Sequence, residues 1–95
     1  MSVPELSIII VNWNGENLLP DCLGSIAEHP PTSAYEVIVV DNASTDQSIA
    51  WLESDDRRRL IPDERFRLIK NSENAGFGKA NNQAMRRSNS EYIFL

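Results

Sequence analysis

The chain has 95 residues, of which 41% are hydrophobic and 24% are charged, a composition typical of one globular domain rather than a disordered chain. Its formal net charge of −5 argues against a sequence-independent grip on the phosphates of a nucleic acid. One cysteine and one histidine exclude an internal disulfide, a cysteine-based zinc site and a multi-histidine metal site.

Signals for a membrane or for export are weak. The longest apolar run covers residues 8–11, far short of the roughly 18–20 residues that a membrane-spanning helix needs. No basic segment precedes this run, as it would in a signal peptide. We therefore expect a cytoplasmic protein, a compartment that also suits a lone thiol.

The first half of the chain predicts a strand, a helix and a second strand. Residues 6–11 are apolar and β-branched without alternation, as in a buried parallel strand, and turn-prone residues 12–15 follow. Apolar residues then recur at steps of three and four and predict a helix whose buried stripe is Leu18, Leu19, Cys22, Leu23 and Ile26. Residues 37–40 predict a second buried strand.

The second half continues the alternation. Ser44 and Gln47 match a capping box, which predicts a helix over about residues 46–53. The polar residues 54–65, including the three arginines 57–59, are interpreted as an exposed, solvated connection. A third strand over residues 66–70, a helix over 79–87 and a fourth strand beginning at residue 92 complete the pattern.

Strands that alternate with helices predict an α/β fold with one parallel sheet of about four strands and three helices. Ligands of such sheets bind beyond the carboxyl ends of the strands, which makes candidates of three loops rich in Asn, Asp, Ser and Gly: residues 12–15, 41–46 and 71–79. For any single residue in them, a turn or a helix cap is an equally good explanation. Together, however, they form an edge rich in hydrogen-bonding groups that suits the base and ribose of a nucleotide.

The sequence lacks the glycine-rich motifs of two common classes of nucleotide-binding protein. The turn after the first strand has one glycine and a tryptophan instead of Gly-x-Gly-x-x-Gly, which disfavours a nicotinamide-dependent oxidoreductase, and no Gly-Lys-Ser/Thr sequence is present. A bound phosphate would therefore need another neutralising group, of which a divalent metal is the usual one. Asp41, at the end of the second strand, is placed to accept a hydrogen bond from a base or a ribose hydroxyl, or to support the predicted Ser44 cap.

Three segments resemble the family 2 glycosyltransferases, most closely a rhamnosyltransferase-like subgroup of bacterial cell-surface polysaccharide assembly. They are residues 7–15 (SIIIVNWNG), 39–46 (VVDNASTD) and 74–82 (NAGFGKANN), and the resemblance runs from about residue 6 to residue 95. It implies the Rossmann-like, nucleotide-sugar-binding N-terminal half of a GT-A fold, so that residues 1–95 form a single partial domain.

The resemblance also implies roles for individual residues. Val11 and Trp13 would line the nucleoside pocket, while Asn12 and Asn14 shape the loop. Asp41 would contact the base, supported by Asn42 and Ser44. The residues near the ribose or diphosphate would be Asn74, Gly76, Phe77, Lys79 and Asn82. Lys79 departs from the small residue that the family pattern has there, and is interpreted as solvated in preference to binding the diphosphate.

The same resemblance places the metal-binding Asp-x-Asp motif and the general base after residue 95. We therefore expect an inverting transferase whose Mg²⁺ or Mn²⁺ and catalytic residues lie outside this chain, so that the chain alone is inactive. Its partners would be a nucleotide-diphosphate sugar and a saccharide or lipid-linked acceptor, at or near the inner face of the plasma membrane. Self-association through an apolar sheet edge is a further expectation. The alternative is a nucleotide-binding or interaction module without catalysis.

Overall fold

Four strands form one parallel sheet in the order β3-β2-β1-β4, namely β1 (Leu6–Asn12), β2 (Tyr35–Asn42), β3 (Phe66–Asn71) and β4 (Tyr92–Phe94). The computed structural model describes residues 4–88 and the backbone of residues 92–94. The predicted α/β class and all four strands are confirmed, although β2 is longer at both ends than its apolar run suggests. The predicted end of the fourth strand at Leu95 lies outside the described residues.

The register of the sheet aligns the ends of its three longer strands. β1 pairs with β2 along its whole length, from Leu6↔Tyr35 to Asn12↔Asp41. β3 pairs with β2 as far as Asn42↔Asn71. β4 pairs only with the first part of β1, so β1 lies inside the sheet and β4 lies at an edge. Because the carboxyl ends of β1, β2 and β3 are aligned, the polar residues that follow these strands are collected at one end of the sheet, which we call the candidate edge.

The helices are α1 (Leu19–Glu28), α2 (Ser48–Leu52), α3 (Asp55–Leu60) and α4 (Phe77–Arg87), and Asp63–Arg65 forms a 3-10 turn. The prediction of an exposed connection over residues 54–65 is wrong, since this segment contains α3 and the turn. α2 begins two residues later than predicted and α4 two residues earlier. Within the described part of the chain, no helix combines the length and the apolar character needed to cross a membrane.

The two faces of the sheet carry separate apolar clusters, because successive residues of a strand point to opposite faces. One face packs under α1 and α2, where Leu19, Leu23 and Leu52 meet Val37 and Val39. The other face packs under α4 through a second cluster, formed by Ile9, Ile38, Val40, Ala80 and Ala84. The two alanines let α4 lie close to the strands.

The predicted stripe of α1 is only partly correct. Leu19 and Leu23 are buried as expected, but Leu18 is 72% exposed and Cys22 is exposed. Leu18 and Cys22 are one turn apart on a flank that lies about 100° around the helix from Leu19 and Leu23, so the pair of buried leucines directs them away from the sheet.

Arg57 contradicts the prediction that the three arginines are solvated. Helix α3 turns its side chain inward, where it is 4% exposed. Its Nε donates to the carbonyl oxygen of Leu52 at 2.6 Å, and its Nη1 donates to that of Ile61 at 2.9 Å and to Asp63 Oδ1 at 2.8 Å. Its guanidinium carbon also lies 3.9 Å from the centre of the Phe66 ring. The hydrogen bond from Arg57 lowers the pKa of Asp63.

A second buried charge, Glu36, holds the far end of α4. Its Oε1 accepts from Ser7 Oγ at 2.8 Å, and its Oε2 lies 3.5 Å from Arg67 Nε. Arg67 Nη1 donates to the carbonyl oxygen of Arg87 at 2.7 Å, and the hydroxyls of Ser7 and Ser88 are 2.7 Å apart. These contacts fix the last residues of α4 against the first residues of β1, β2 and β3. They thereby help to hold the beginning of α4 in place at the carboxyl ends of the strands.

Candidate functional site

The carboxyl ends of β1, β2 and β3 lie side by side and are followed by the three predicted loops. Hydrogen bonds join these loops in two groups, which we call the first junction (Asn12, Asn14, Asp41, Ser44 and Asp46) and the second junction (Asn42, Asn71, Asn74, Gly76 and Gln83). Each junction begins with side chains at the strand ends and extends into the loop above them.

The first junction is centred on the carboxylate of Asp41, which is 2% exposed. Its Oδ1 accepts from Asn12 Nδ2 at 2.9 Å and from Ser44 Oγ at 2.7 Å. Its Oδ2 accepts from the backbone N–H of Ser44 at 2.9 Å. A carboxylate oxygen has two acceptor positions, so Asp41 keeps one further position, on Oδ2.

Ser44 is not the helix cap that the capping box predicts. Helix α2 is preceded by Gln47, whose side chain makes no capping hydrogen bond. Asp46 takes part of this role instead, since its Oδ1 accepts from the N–H of Ser48 at 2.9 Å. The hydroxyl of Ser44 turns back toward β1, where it accepts from the N–H of Asn14 at 2.9 Å. The O–H of Ser44 is donated to the carboxylate of Asp41, which turns Oγ toward the strand end, and its acceptor position there is taken by the N–H of Asn14 and not by a helix amide.

Asn14 and Asp46 complete the first junction from opposite loops. Asn14 Oδ1 accepts from the backbone N–H of Thr45 at 2.8 Å and of Asp46 at 3.3 Å. Asp46 Oδ2 accepts from the N–H of Glu16 at 3.1 Å. Burial acts to raise the pKa of Asp46, but its hydrogen bonds from Ser48 and Glu16 outweigh it and lower that pKa. The charged form of Asp46 therefore stabilises the junction.

Two small residues set the backbone of these loops. A Cβ at Gly15 would collide with Asn12 Oδ1, whose amide is already held by Asp41. Ala43 has φ of 62°, in the left-handed region that L-residues other than Asn and Asp rarely adopt. This conformation lets Ser44 fold back over the carboxylate of Asp41.

The second junction is a chain of side-chain amides. Asn71 Nδ2 donates to Asn42 Oδ1 at 2.9 Å and to Gln83 Oε1 at 2.8 Å, and Gln83 Nε2 returns a hydrogen bond to Asn71 Oδ1 at 3.0 Å. Asn42 Nδ2 donates to the carbonyl oxygen of Gly76 at 3.2 Å. The N–H of Gly76, which has φ of 83°, is bonded to Asn74 Oδ1 at 2.8 Å. The start of α4 is thus anchored to the ends of β2 and β3.

Asp41 and Asn42 serve the two junctions from adjacent positions of one strand. Because neighbouring side chains alternate between faces, Asp41 lies on the α1 and α2 side and Asn42 on the α4 side. Both are 2% exposed. The structure therefore places them as supports of the loops.

The remaining predicted site residues are accessible from solvent. Trp13 is 59% exposed and Phe77 is 69% exposed. Val11 is half-buried, and the exposed polar members are Asn74, Lys79 and Asn82. The exposure of Lys79 agrees with the interpretation that it is solvated. The edge thus combines a rigid polar base with two exposed aromatic side chains.

Asn71 and Asp46 lie in the predicted loops but were assigned no role of their own, and Gln83 lies outside those loops. Asn71 ends β3 as Asn42 ends β2, and that equivalence is a signal that the sequence contains. Gln83 lies seven residues beyond the glycine that precedes α4, and nothing in its local sequence indicates a partner on β3.

The described residues do not provide a metal-binding set. No group of three or more His, Cys, Asp or Glu side chains in this part of the chain is close enough together to hold an ion. At the candidate edge, both oxygens of Asp41 and of Asp46 already accept hydrogen bonds. A cavity of about 390 Å³ lies at the opposite end of the sheet, against Tyr35, Glu36 and Phe66.

Comparison with known proteins finds one family. The sequence profile described as "Glycosyl transferase family 2" matches residues 7–95. The chain is 31% identical over 92 residues to the poly(ribitol-phosphate) beta-N-acetylglucosaminyltransferase TarS of Staphylococcus aureus, covering 96% of this chain and 15% of that protein. It is 33% identical over 93 residues to a poly(ribitol-phosphate) beta-glucosyltransferase of Bacillus spizizenii, covering 96% of this chain and 14% of that protein.

Solved structures show the same fold. Residues 1–349 of S. aureus TarS in complex with UDP superpose with a TM-score of 0.78 at 26% identity, covering 96% of this chain and 26% of that one. The mannosyltransferase PcManGT of Pyrobaculum calidifontis in complex with GDP-Man and Mn²⁺ gives a TM-score of 0.67 at 26% identity, covering 93% and 25%. The chain spans about 15% of the length of the first curated relatives.

Proposed function

The chain belongs to glycosyl transferase family 2 and has the Rossmann-like sheet of a GT-A fold, and on that premise we propose that it forms the nucleotide-sugar-binding half of an inverting glycosyltransferase. The observation that carries the proposal is the polar edge of the sheet, where two hydrogen-bonded junctions hold three loops beside exposed Trp13 and Phe77. Preorganised loops of this kind reduce the entropy that a bound ligand would otherwise lose.

In this proposal the site residues divide into supports and contacts. Trp13 and Val11 line the nucleoside, with the indole ring stacking on the base. Asp41 holds the loops and offers its one remaining acceptor position to the base or the ribose. Asn12, Asn14, Asn42 and Ser44 keep the loops in place. The residues nearest the ribose and diphosphate are Asn74, Gly76, Phe77, Lys79 and Asn82.

The reaction itself requires groups that the described residues do not supply. A glycosyl transfer with inversion needs a base for the acceptor hydroxyl and a group that neutralises the diphosphate. We propose that both, including any Mg²⁺ or Mn²⁺, are held by other parts of the enzyme. The Mn²⁺ in the PcManGT complex supports a metal in this role. The chain described here binds and orients the donor, and on its own it would turn over none.

We further propose that the acceptor belongs to a bacterial cell-surface polysaccharide and that transfer takes place in the cytoplasm, at or near the inner face of the plasma membrane. The names of the two poly(ribitol-phosphate) transferases support the first part. The donor base and sugar are open among uridine, guanosine and thymidine diphosphate sugars. The resemblance to rhamnosyltransferase-like enzymes adds a thymidine diphosphate rhamnose to the donors to be tested.

Calorimetric titration of the protein with UDP, GDP and dTDP, with and without Mn²⁺, tests donor binding. We expect one of the three to bind, and Trp13→Ala to weaken it about tenfold, because stacking on an aromatic side chain contributes about 1–3 kcal/mol per base. Leu18→Ala is the control, since Leu18 is 72% exposed and has no proposed role. Absence of binding for all three nucleotides, or equal effects of the two substitutions, would contradict the proposal.

A module that binds a nucleotide without catalysis, the alternative that the sequence leaves open, is the second candidate. The two candidates differ in turnover. Release of nucleoside diphosphate by the whole protein in the presence of acceptor supports the enzyme, whereas tight binding without release supports the module. Release by the 95-residue chain alone would contradict our expectation that it is inactive.

Self-association remains a prediction. In the described sheet β4 lies at an edge, and an unpaired strand edge is a template for another chain. We expect light scattering to show dimers or larger species as the concentration rises, and a monomer at all concentrations would refute this.

A further inference from the structure

Helix α4 carries an unbalanced positive charge on a chain that is acidic as a whole. The helix contains Lys79, Arg86 and Arg87 and no aspartate or glutamate, whereas the chain has a formal net charge of −5. All three side chains are exposed. Within the part of the chain that the structure describes, none of the three forms an ion pair. Lys79 lies near the candidate edge, and the two arginines lie in the last turn of the helix.

The arginines of α3 differ from those of α4, because neighbouring carboxylates neutralise them. Each of residues 57–59 has a carboxylate oxygen of Asp56 or Asp63 within 3.3 Å. An anion that approached α3 would have to compete with these carboxylates for the guanidinium groups. No such competition from a described residue takes place at Arg86 or Arg87.

A third arginine adds to the charge at the end of α4. Arg67 of β3 donates from Nη1 to the carbonyl oxygen of Arg87 at 2.7 Å, and its side chain is 45% exposed. Its Nε lies 3.5 Å from Oε2 of Glu36, which is buried. Glu36 therefore balances one of the three charges from beneath and leaves the other two. We call Arg67, Arg86 and Arg87 the arginine surface.

The acidic residues within the helices lie on the other face of the sheet. α1 and α3 contain two acidic residues each, and both helices pack on the face opposite to α4. At physiological salt the Debye length is about 8 Å, so charges that are separated by a sheet and its helices are largely screened from one another. The net charge of the chain therefore does not describe the field above the arginine surface.

The arginine surface is separated from the candidate edge by the length of α4. Arg86 follows Phe77 by nine residues, which corresponds to about 14 Å along the helix axis. A ligand that contacts the edge and the arginine surface together must be extended, and it must carry negative charge at a distance from the edge. Of the two substrates proposed above, the polymeric acceptor can extend in this way while the donor occupies the edge.

We propose that the arginine surface binds phosphate groups of the polymeric acceptor, and hence that this acceptor is a polyanion; this rests on the proposed function above. Arginine presents its N–H donors in a planar fork that matches the oxygens of a phosphate group. Repeats of the polymer that are distant from the reacting hydroxyl bind here. Their binding raises the effective concentration of the reacting repeat at the candidate edge.

An anionic membrane is a less suitable partner for this surface. Helices that bind to a bilayer place apolar residues at the boundary between headgroups and acyl chains. In the second half of α4 the apolar residues are Ala84 and Met85, and both pack on the sheet. Electrostatic recognition of lipids without apolar contacts uses clusters of about 4–8 basic residues, more than the arginine surface contains.

Three variants of the protein test the assignment. Arg86→Gln/Arg87→Gln removes two positive charges from α4, and Arg86→Glu changes the net charge by the same amount at one position. Arg58→Gln/Arg59→Gln is the matched control, because these exposed arginines belong to α3 on the other face of the sheet. Arg67 is left unchanged, since its removal would leave the buried carboxylate of Glu36 without its ion pair.

Binding is measured by calorimetric titration at low and at physiological salt. Poly(ribitol phosphate) serves as a long anionic chain, ribitol phosphate as its single repeat, and dextran as an uncharged polymer. Sedimentation with vesicles of phosphatidylglycerol or phosphatidylcholine tests the membrane as a partner. Urea unfolding of each variant measures the stabilisation that basic residues in the last turn of a helix provide through its dipole.

We expect the wild type to bind poly(ribitol phosphate) and to lose affinity as the salt concentration rises. Both α4 variants should bind the long chain roughly five- to tenfold more weakly, and the α3 control should match the wild type. Ribitol phosphate should bind much more weakly than the long chain, because a single repeat cannot contact the edge and the arginine surface together.

Several results would overturn the proposal. An equal loss in the α3 control would mean that only net charge matters, and equal binding of dextran would mean that phosphate is not recognised. Lower stability of the α4 variants in urea with unchanged affinity for the polymer would leave these arginines a role in the helix alone. Binding to phosphatidylglycerol vesicles that the α4 variants lose, without binding of poly(ribitol phosphate), would assign the surface to a membrane instead.

Titration with UDP, GDP and dTDP separates this proposal from the one on which it rests. The α4 variants should bind nucleotide as the wild type does, because Arg86 and Arg87 lie away from the candidate edge. If the wild type binds no nucleotide, the proposed function fails, and the assignment of the polymer as its acceptor fails with it. If nucleotide binds and the α4 variants bind the polymer as tightly as the wild type, the proposed function stands and the role of the arginine surface is refuted.

Discussion

Replacing Ala43 by glycine should stabilise the protein, although glycine is usually the less stabilising residue. Ala43 has φ of 62° in the loop after β2. An L-residue in this region brings its Cβ too close to the following carbonyl oxygen, which glycine avoids. The conformation is imposed by the two hydrogen bonds between Asp41 and Ser44, which hold the backbone on either side of Ala43.

The size of the effect is a difference between two terms. The left-handed conformation costs alanine about 1–2 kcal/mol, and the greater freedom of glycine in the unfolded chain costs about 0.5–1 kcal/mol. We expect Ala43→Gly to raise the free energy of unfolding by about 0.5–1 kcal/mol. For a domain of this size, that corresponds to roughly 2–8 °C in Tm.

Urea unfolding of the two proteins measures this difference, with an unchanged m-value as the sign that only stability has changed. Ala50→Gly is the matched control, because Ala50 is exposed within α2 and has no such strain. We expect it to lose about 0.5–1 kcal/mol. If both substitutions destabilise equally, the hydrogen bonds do not hold Ala43 in a strained conformation and the reasoning is wrong.

Three further predictions concern the loops and α3. Gly15→Ala should lower the free energy of unfolding by about 1–3 kcal/mol and weaken nucleotide binding, because the new Cβ displaces Asn12; unchanged stability in urea would contradict this. Arg57→Ala should lower the free energy of unfolding, measured with heat or urea, by about 2–4 kcal/mol, since it leaves two carbonyl groups without a donor. Arg59→Ala is the control: Arg59 is exposed, and its replacement should change the free energy of unfolding by no more than about 0.5 kcal/mol. Because the pKa of Asp46 is lowered in the fold, its contribution to stability is present above about pH 4 and is lost as the pH falls through the folded pKa. The protection of the two N–H groups that it binds, measured as their exchange rate relative to that of the unfolded chain at the same pH, should therefore fall only in acid, and a protection that does not change with pH would refute this.

The sequence predicts the centre of the sheet well because β1 and β2 are apolar on both faces. The run from Val37 to Val40 has one plausible place, the middle of a parallel sheet, and all its residues are buried. Arg57 shows the opposite case. Its local sequence, three arginines in a polar segment, is typical of a solvated surface. Its burial depends on how α2 and α3 are joined, because the carbonyl groups that it binds, of Leu52 and Ile61, lie only five and four residues away.

The candidate site divides in the same way. Asp41 and Asn42 are found from the sequence because polar residues at the end of a buried strand stand out. Ser44 is misassigned because a capping box considers only the residues that follow it, whereas its hydroxyl donates to Asp41, three residues earlier, and accepts from the N–H of Asn14, thirty residues earlier. Asn81 cannot be distinguished from Asn82 by sequence, because the rotation of α4 on the sheet decides which of the two is buried.

The adjacency of Asp41 and Asn42 has a consequence for how this edge can change. Since the two side chains act on opposite faces of the sheet, each loop can be altered while the hydrogen bonds of the other stay in place. The effects of substitutions at Asn14 and at Gln83, which share no hydrogen-bond partner, should then be additive. A strand end of two residues thereby allows the loops on one side of the sheet to be altered without loss of the hydrogen bonds on the other side.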